Sequence, residues 1–420
     1  MSKFSIFSIT SFFVAICIVV IGNYYFISSS VDADWYIKIA QGDINGVLQP
    51  FSGRLLHPLT VRLFSFLSDF DINVSFWALN VFLLFGFVIM LSLFFSEISF
   101  MNIALVFTLL FSPVLLNYFR YFYFADLFMF FFVILFFYFL KKNNFVFSLL
   151  LLFLLLFTRP REAFILGIVL VISSYKSDFK LSVAALLTTI TGFFTDYQIS
   201  LLGEANVNHL SGFVYYILSP IYWFGRFLGI DWLTNTTVQY CQPHFVYSLP
   251  GWIKLGSIKW VGICQFNIFH PLSVLFNSFI IFGIIPLMLF FFLYKNWRYI
   301  FEKNQIWIST ALVYGIIMFF LGSWLGALRT VGYGWPAFLL AALFIFDWRL
   351  RAWPDSAKAK LTKAFIFIQI TLLWLPYLIV ENFSFISNTF KYLLAYLMVF
   401  LLYFLFIKMY TITTKKYNIV

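Results

Sequence analysis

Long apolar segments separated by short polar ones recur along almost the whole chain. The apolar runs continue without alternation over about fifteen to twenty-five residues, which is typical of membrane-spanning helices. Spanning β-strands would instead alternate apolar and polar residues. The pattern predicts twelve helical spans, at residues 4–27, 74–95, 101–118, 122–140, 145–157, 163–174, 181–194, 272–293, 306–325, 333–346, 364–380 and 392–407.

The composition supports the same class of protein. Of the 420 residues, 63% are hydrophobic and 10% are charged, and the mean hydropathy is +0.96. A soluble protein of this size could not cover so much apolar surface, whereas a bilayer accepts helices whose backbone groups are paired internally. We therefore predict an all-α polytopic membrane protein that forms one integral membrane domain over residues 1–420.

The basic residues are distributed unevenly once these spans are placed. With the N-terminus in the cytoplasm, the inner side carries sixteen of the 27 Lys and Arg residues and five of the 16 acidic residues. The whole net charge of +11 then lies on the inner side, which is the positive-inside pattern. This predicts an integral protein of a bacterial inner (plasma) membrane with both termini cytoplasmic. The charge is explained by topology and membrane lipids, so nucleic acid is not expected as a partner.

The same orientation leaves two long loops on the outer face, at residues 28–73 and 195–271. The second loop is rich in Tyr, Trp, Gly and Pro. Its aromatic content predicts an ordered loop that lies on the membrane surface, and loops of this length are often functional. Cys241 and Cys264 both fall within it. They could pair as a disulfide if that face is oxidising, or remain free thiols, and the sequence leaves both possibilities open.

The first outer loop opens with two acidic residues, Asp32 and Asp34, in the stretch VDADWY. One interpretation is structural: Asp32 would cap a short helix that continues through Trp35 and Tyr36, with Asp34 in its first turn. The functional interpretation is a carboxylate at the outer membrane surface, acting as a general base or, if a divalent metal takes part, as its ligand. We favour a functional role for at least one of the two.

A second polar stretch, PFSGRLLHP, follows in the same loop. Arg54 is a candidate for binding phosphate, and His57 is a candidate for titrating near neutral pH. The structural alternatives are an arginine that reaches lipid headgroups and a histidine that caps a turn before Pro58.

Further charged residues lie at the outer ends of predicted spans, where positive-inside topology disfavours arginine. The candidates for phosphate binding are Arg120, which lies near Asp126, then the cluster Arg159, Arg161 and Glu162, and finally Arg329 with Tyr333. Contact with lipid headgroups is the alternative. The Arg159–Glu162 cluster is the most suggestive, because it lies between two short predicted spans that would draw it towards the membrane core.

The acidic start of the first loop carries a resemblance to a known family. The positions Asp32, Tyr36, Ala40 and Gly42, followed by PFSGRLLHPL, resemble the corresponding region of bacterial glycosyltransferases of the GT-C superfamily. One span, an acidic outer loop and many further spans are also similar to that superfamily. A soluble C-terminal domain, which many larger members carry, is not apparent here.

The resemblance implies transfer of a sugar from a polyprenyl-phosphate donor to an envelope glycan or lipid acceptor on the outer face. Asp32 or Asp34 would be the base, Arg54, Arg159, Arg161 and Arg329 would hold the phosphate, and direct attack would invert the anomeric centre. Two other classes stay open: an envelope polysaccharide polymerase or ligase, which would rely on the second outer loop, and a lipid-linked glycan transporter or flippase. Few predicted mid-span charges and no repeat count against transport.

Overall fold

The computed structural model describes most of the predicted helical segments. The described residues are 12, 15, 16, 19, 20, 31–45, 47, 51, 53–94, 122–203, 230–233, 245–248, 260–266, 283, 285, 306–321, 334–350, 353–382 and 388–416. For the strands and for parts of the helices, Asp32 included, only the backbone is described.

Eleven helices account for most of the described chain. In order they are α1 (Val31–Gln41), α2 (Leu56–Ser68), α3 (Ile72–Phe94), α4 (Asp126–Lys141), α5 (Phe145–Leu156), α6 (Pro160–Ser174), α7 (Phe179–Gly203), α8 (Ile306–Leu321), α9 (Trp335–Leu350), α10 (Asp355–Asn382) and α11 (Asn388–Lys416). The predicted helical class is therefore confirmed.

Among the described residues, fewer membrane-spanning helices are identified than the sequence predicts. In the described part of the chain, one stretch is long and apolar enough to cross a membrane, Ile72–Leu91 in α3, and four shorter apolar helices accompany it. The arrangement of twelve spans thus stays a prediction. The predicted spans 4–27, 101–118 and 272–293 lie wholly or mostly outside the described residues.

A small sheet adds to the helices within the second predicted loop, and an all-α fold did not include it. Strands β1 (Ile230–Leu233), β2 (Phe245–Ser248) and β3 (Trp260–Phe266) are antiparallel in the order β1-β3-β2. Ile263 of β3 pairs with Trp232 on one side and Phe245 on the other. The loop also begins later than predicted, because α7 continues to Gly203.

The first predicted outer loop contains two helices rather than an irregular chain. In α1, Ala33, Tyr36, Ile39 and Ala40 are buried, so one helical face packs inward, as the period of 3.6 requires. The helix begins at Val31, which puts Asp32 inside the first turn and not at the cap. A left-handed residue, Asp69, ends α2.

The core lies between helices that are neighbours in space. α6 packs on α5, α7 and α8, and α4 packs on α3, α5, α8 and α9. Trp335 of α9 is fully buried and stacks on Phe87 of α3 at 5.6 Å and on Phe130 of α4 at 5.9 Å, measured between ring centroids. These contacts hold α3, α4 and α9 around one aromatic centre.

Short turns fix where α4, α5 and α6 begin and end. The backbone of Asn143 is left-handed, with φ of 55°, and the Oδ1 atom of Asn144 accepts a hydrogen bond from the Phe147 amide at the start of α5. After the twelve residues of α5, Arg159 caps α6 and Pro160 occupies its first turn, where proline's missing N–H costs nothing. The segment 157–162 is thereby a tight turn between two packed helices.

Apolar side chains also remain on the outside of the bundle. On α11, Phe400 and Phe404 are each 65% exposed, and on α2, Phe66 is 83% and Leu67 is 74% exposed. Contiguous exposed apolar surface of this kind is typical of membrane or partner contact.

Candidate functional site

Arg54 reaches from the loop before α2 to helix α1. Its Nη1 atom donates a hydrogen bond to the hydroxyl oxygen of Tyr36 at 3.1 Å, and its guanidinium carbon lies 5.3 Å from the ring centroid of Phe51. Tyr36 is completely buried. Two aromatic residues, Tyr36 and Phe51, therefore hold the guanidinium in place.

The turn between α5 and α6 supplies a second group of charges. Arg159 forms an ion pair with Asp126 at the start of α4, and both side chains are almost fully buried. Arg161 forms an ion pair with its neighbour Glu162, which is also buried. Glu162 lies in the first turn of α6, where the helix dipole favours a negative charge. Four charged groups are thus enclosed where two helices begin.

The loop and the turn meet. The amide of Leu56 donates a hydrogen bond to the carbonyl oxygen of Phe157 at 3.1 Å, which joins the start of α2 to the end of α5. Burial raises the pKa of the Glu162 carboxyl, but Arg161, Arg159 and Arg54 lower it by more, and the net pKa lies below its usual value. Glu162 is therefore ionised and lies within electrostatic range of all three arginines. We refer to Arg54, Arg159 and Arg161, with Asp126 and Glu162, as the arginine cluster.

Asp196 of α7 lies beside the arginine cluster and was not identified from the sequence. Its side chain is buried, and a methyl group added to Gly53 would come within 2.6 Å of its Oδ1 atom. Burial raises the pKa of this carboxyl well above the usual value, although Arg54 acts in the opposite direction. Asp196 and Gly53 bring the end of α7 against the loop that carries Arg54.

His57 is enclosed by aromatic rings next to the same cluster. Its ring centroid lies 5.3 Å from those of Phe76 and Phe128 and 6.3 Å from that of Tyr36. Burial lowers the pKa of His57 to about 3, with Arg159 acting in the same direction and Asp126 opposing it. This differs from a histidine that titrates near neutral pH or caps a turn, because desolvation keeps the imidazole neutral.

Tyr314 approaches the arginine cluster from α8. It is fully buried and lies within electrostatic range of Glu162 and Arg161. The polar atoms in this region that are buried without a hydrogen-bond partner among the described residues include Arg54 Nε, Asp196 Oδ1, the Tyr314 hydroxyl and both ring nitrogens of His57. Since each such atom is costly to bury unpaired, their presence in one region is typical of a site that receives water or a ligand.

The two acidic residues of the VDADWY stretch differ in position. Asp34 is exposed on α1, on the side away from Tyr36. The helical period places position 32 on the same face as Tyr36 and Ile39, and the side chain of Asp32 itself is outside the described residues. The acidic residue that shares a face with the partner of Arg54 is therefore Asp32.

Several predicted site residues cannot be compared with the structure. Arg120, Arg329 and Tyr333 lie outside the described residues, as do Cys241 and the side chain of Cys264. Within the described ranges no group of three His, Cys, Asp or Glu residues could hold a metal ion. A metal at Asp32 and Asp34 stays a prediction.

The structure thus joins four of the predicted residues, Arg54, Arg159, Arg161 and Glu162, and adds Asp126, Asp196 and Tyr314. Asp126 carried a sequence signal because it lies close to Arg120. Asp196 had a weaker one, since it is an acidic residue directly after an apolar segment. Comparisons with protein-family models, with curated proteins and with solved structures find no match to this chain.

Proposed function

We propose that this protein is a membrane glycosyltransferase of GT-C type, which transfers a sugar from a polyprenyl-phosphate donor to an envelope glycan or lipid acceptor on the outer face of the membrane. The observation that carries the proposal is the arginine cluster. Arg159 and Arg161 are each paired with a carboxylate, whereas Arg54 forms no ion pair with a described residue and is left to bind a further negative group. Arginine matches phosphate oxygens with paired donors, so a phosphate ester is the ligand that this arrangement fits.

The reaction needs little beyond these groups. The acceptor oxygen attacks the anomeric carbon, the bond from that carbon to the phosphate oxygen breaks, and the phosphate leaves with the electron pair. A carboxylate accepts the proton of the acceptor hydroxyl, and cations stabilise the charge on the departing phosphate. Arg54 is the cation best suited to this role, because Arg159 and Arg161 are each already paired with a carboxylate.

A lipid-linked donor also fits the depth of the site. Twelve residues of α5 cover about 18 Å, whereas the apolar core of a bilayer is about 30 Å thick. If Phe145 lay at the inner surface of a bilayer, the Arg159–Glu162 turn would lie about 12 Å below the outer surface. The exposed apolar residues of α2 and α11 are consistent with surrounding lipid. A donor whose tail stays in the bilayer can bring its phosphate to this level.

The two acidic residues of α1 provide the test. In a host that lacks the native gene, the Asp32→Asn variant should fail to restore the missing sugar of the surface glycan. Asp34→Asn should restore it, because position 34 is exposed on the opposite side of the helix. Glycan structure is read by mass spectrometry, with protein levels matched by immunoblot. If the gene deletion itself leaves every surface glycan unchanged, the proposed function is wrong.

Transport of a lipid-linked glycan is a second candidate, and the buried ion pair of Arg159 and Asp126 favours it, since charges inside a membrane often mark a translocation path. If the protein is a transporter, deleting its gene should leave complete lipid-linked glycan on the inner side of the membrane. If it is a glycosyltransferase, the deletion should leave the donor unused and the acceptor one sugar short. If it is a polymerase or ligase, the deletion should alter only the chain length or the attachment of the glycan, so the same glycan analysis separates the three.

A further inference from the structure

Asp196 is a buried acidic residue to which neither the sequence nor the proposed function assigns a role. It lies in the last third of α7, seven residues before Gly203, and packs against the first predicted outer loop at Gly53. Gly53 lies against its carboxyl group, and the neighbouring Arg54 acts on it electrostatically. The carboxyl therefore lies beside the arginine cluster.

The structure does not satisfy this carboxyl group. Its Oδ1 atom is buried and makes no hydrogen bond to any described residue, whereas the buried carboxylates of Asp126 and Glu162 both have an arginine partner. A buried acidic group that served only stability would be expected to be paired, because an unpaired one destabilises the fold. An oxygen atom that is held beside a cationic site and left without a partner is available to a ligand hydroxyl.

We propose that the Asp196 carboxylate is the group that accepts the proton of the acceptor hydroxyl in the proposed glycosyl transfer. The inference rests on the proposed function and deepens it. As the acceptor oxygen bonds to the anomeric carbon, its proton passes to Asp196, and the phosphate leaves with the electrons of the broken bond. The protonated carboxyl then returns its proton to water. Arg54 acts electrostatically on both Asp196 and Glu162, so it is the cation that lies beside the proposed base.

Gly53 has a defined part in this arrangement. A Cβ atom at position 53 would lie 2.6 Å from Oδ1 and 3.1 Å from the carboxyl carbon of Asp196, closer than such atoms pack. The Gly53→Ala substitution would thus displace the carboxyl without removing it. Its effect should depend on Asp196: Gly53→Ala should reduce activity in the wild-type chain and add little in an Asp196→Asn chain.

The experiment uses membranes of a host that lacks the gene, which retain their own lipid-linked donor and acceptor. Purified full-length protein in detergent is added, and the product is quantified by mass spectrometry. Asp196→Asn should lower the initial rate by about 100-fold or more, which is the usual scale for losing a general base. Asp69→Asn is the matched control, because Asp69 is exposed and asparagine tolerates its left-handed backbone.

The pH dependence separates a proton acceptor from a structural residue. The rate of the wild-type protein should rise with pH as this carboxyl ionises, and the residual rate of Asp196→Asn should lack that rise. Among the described residues, the charged group that acts on this carboxyl is Arg54 from the loop. Arg54 is kept in the variant, so a rise that persists in Asp196→Asn would overturn the inference.

Failure of the inference and failure of the proposed function give different results. If Asp32→Asn abolishes transfer while Asp196→Asn and Gly53→Ala behave like Asp69→Asn, Asp196 is not the base and the proposed function stands. If the wild-type protein itself forms no glycosylated product, the proposed function fails. Should Asp196→Asn not fold, as judged by gel filtration in detergent, Gly53→Ala decides alone: unchanged activity overturns the inference.

Discussion

Arg159 and Asp126 form an ion pair between the N-terminal ends of α6 and α4, deep enough that neither side chain is more than 4% exposed. The pair is 33 residues apart in sequence and joins the two helices that carry the arginine cluster and part of the aromatic core. Because both helices begin at this pair, they enter the bundle from the same end. The pair therefore sets the register between the candidate site and the core.

Removing one partner of this pair should strongly destabilise the protein. Asp126→Asn leaves a buried guanidinium without its counter-charge, and such changes cost about 3–5 kcal/mol. The measurement is thermal unfolding in detergent, followed by fluorescence. The double variant Asp126→Leu/Arg159→Met removes both charges and should recover much of the loss. If the single and double variants unfold together, the pair contributes nothing through its charge.

His57 should make the protein sensitive to mild acid. Its pKa is lowered by burial from 6.5 to about 3. Between these two pH values the imidazole is protonated in the unfolded chain but stays neutral in the folded protein. Stability is therefore fully present above about pH 6.5 and falls as the pH drops towards 3, by up to about 1.4 kcal/mol for each pH unit. The free energy of unfolding, measured at several pH values between 6.5 and 3, should show this slope.

The matched variant for that measurement is His57→Phe, which keeps an aromatic ring among Tyr36, Phe76 and Phe128. It should lose the part of the slope that His57 contributes. If the free energy of unfolding falls equally with decreasing pH in the wild-type protein and in His57→Phe, the imidazole already binds a proton in the folded state, contrary to its burial.

Two glycines at helix contacts should respond differently to alanine. A Cβ at Gly167 of α6 would collide with the Cβ and Cγ2 atoms of Thr189 of α7, at 3.0 and 2.9 Å. Thr189 is branched at Cβ and buried, so the helices must separate, at about 1–3 kcal/mol. Gly192→Ala should cost less, because it meets first the flexible end of Leu156. Unfolding temperatures in detergent should rank the two; equal losses would contradict this packing.

Arg54 should not tolerate replacement by lysine if it holds a phosphate oxygen and the Tyr36 hydroxyl together. Lysine keeps the charge but lacks the planar pair of donors, so Arg54→Lys should reduce surface glycan by about tenfold or more. Arg62→Lys is the control, since Arg62 is exposed and lies against the backbone of Gly42. Equal glycan levels in both variants would mean that charge alone suffices at position 54.

Hydrophobic pattern was a good guide to the helices, and to their ends only where the apolar run and the helix stop together. The predicted 74–95 and 145–157 lie within two residues of α3 and α5 at each end, because continuous apolar runs are long enough to define both limits. The predicted end of the seventh span, at residue 194, falls short of Gly203. Backbone hydrogen bonds continue a helix through polar residues such as Asp196, and hydropathy does not register them.

The candidate site was accessible to sequence reasoning only in part. The charged turn at Arg159–Glu162 was conspicuous because short apolar segments flank it. The sequence did not show that Asp126, Asp196 and Tyr314 lie near this turn, since they come from helices whose mutual packing is a property of tertiary structure. The inward face of α1 could be read from its period, but the sequence could not show that Tyr36 on that face meets Arg54.

The shortness of α5 has a consequence for the surrounding lipid. If α5 crosses the membrane as its apolar sequence predicts, its twelve residues are too short for an unperturbed bilayer, and the acyl chains beside it must either shorten or leave a depression above the turn that follows it. Such a protein would carry its own locally thinned membrane, and lipids with shorter or unsaturated chains would gather there at lower elastic cost. The thickness of the host bilayer would then affect the stability of this protein.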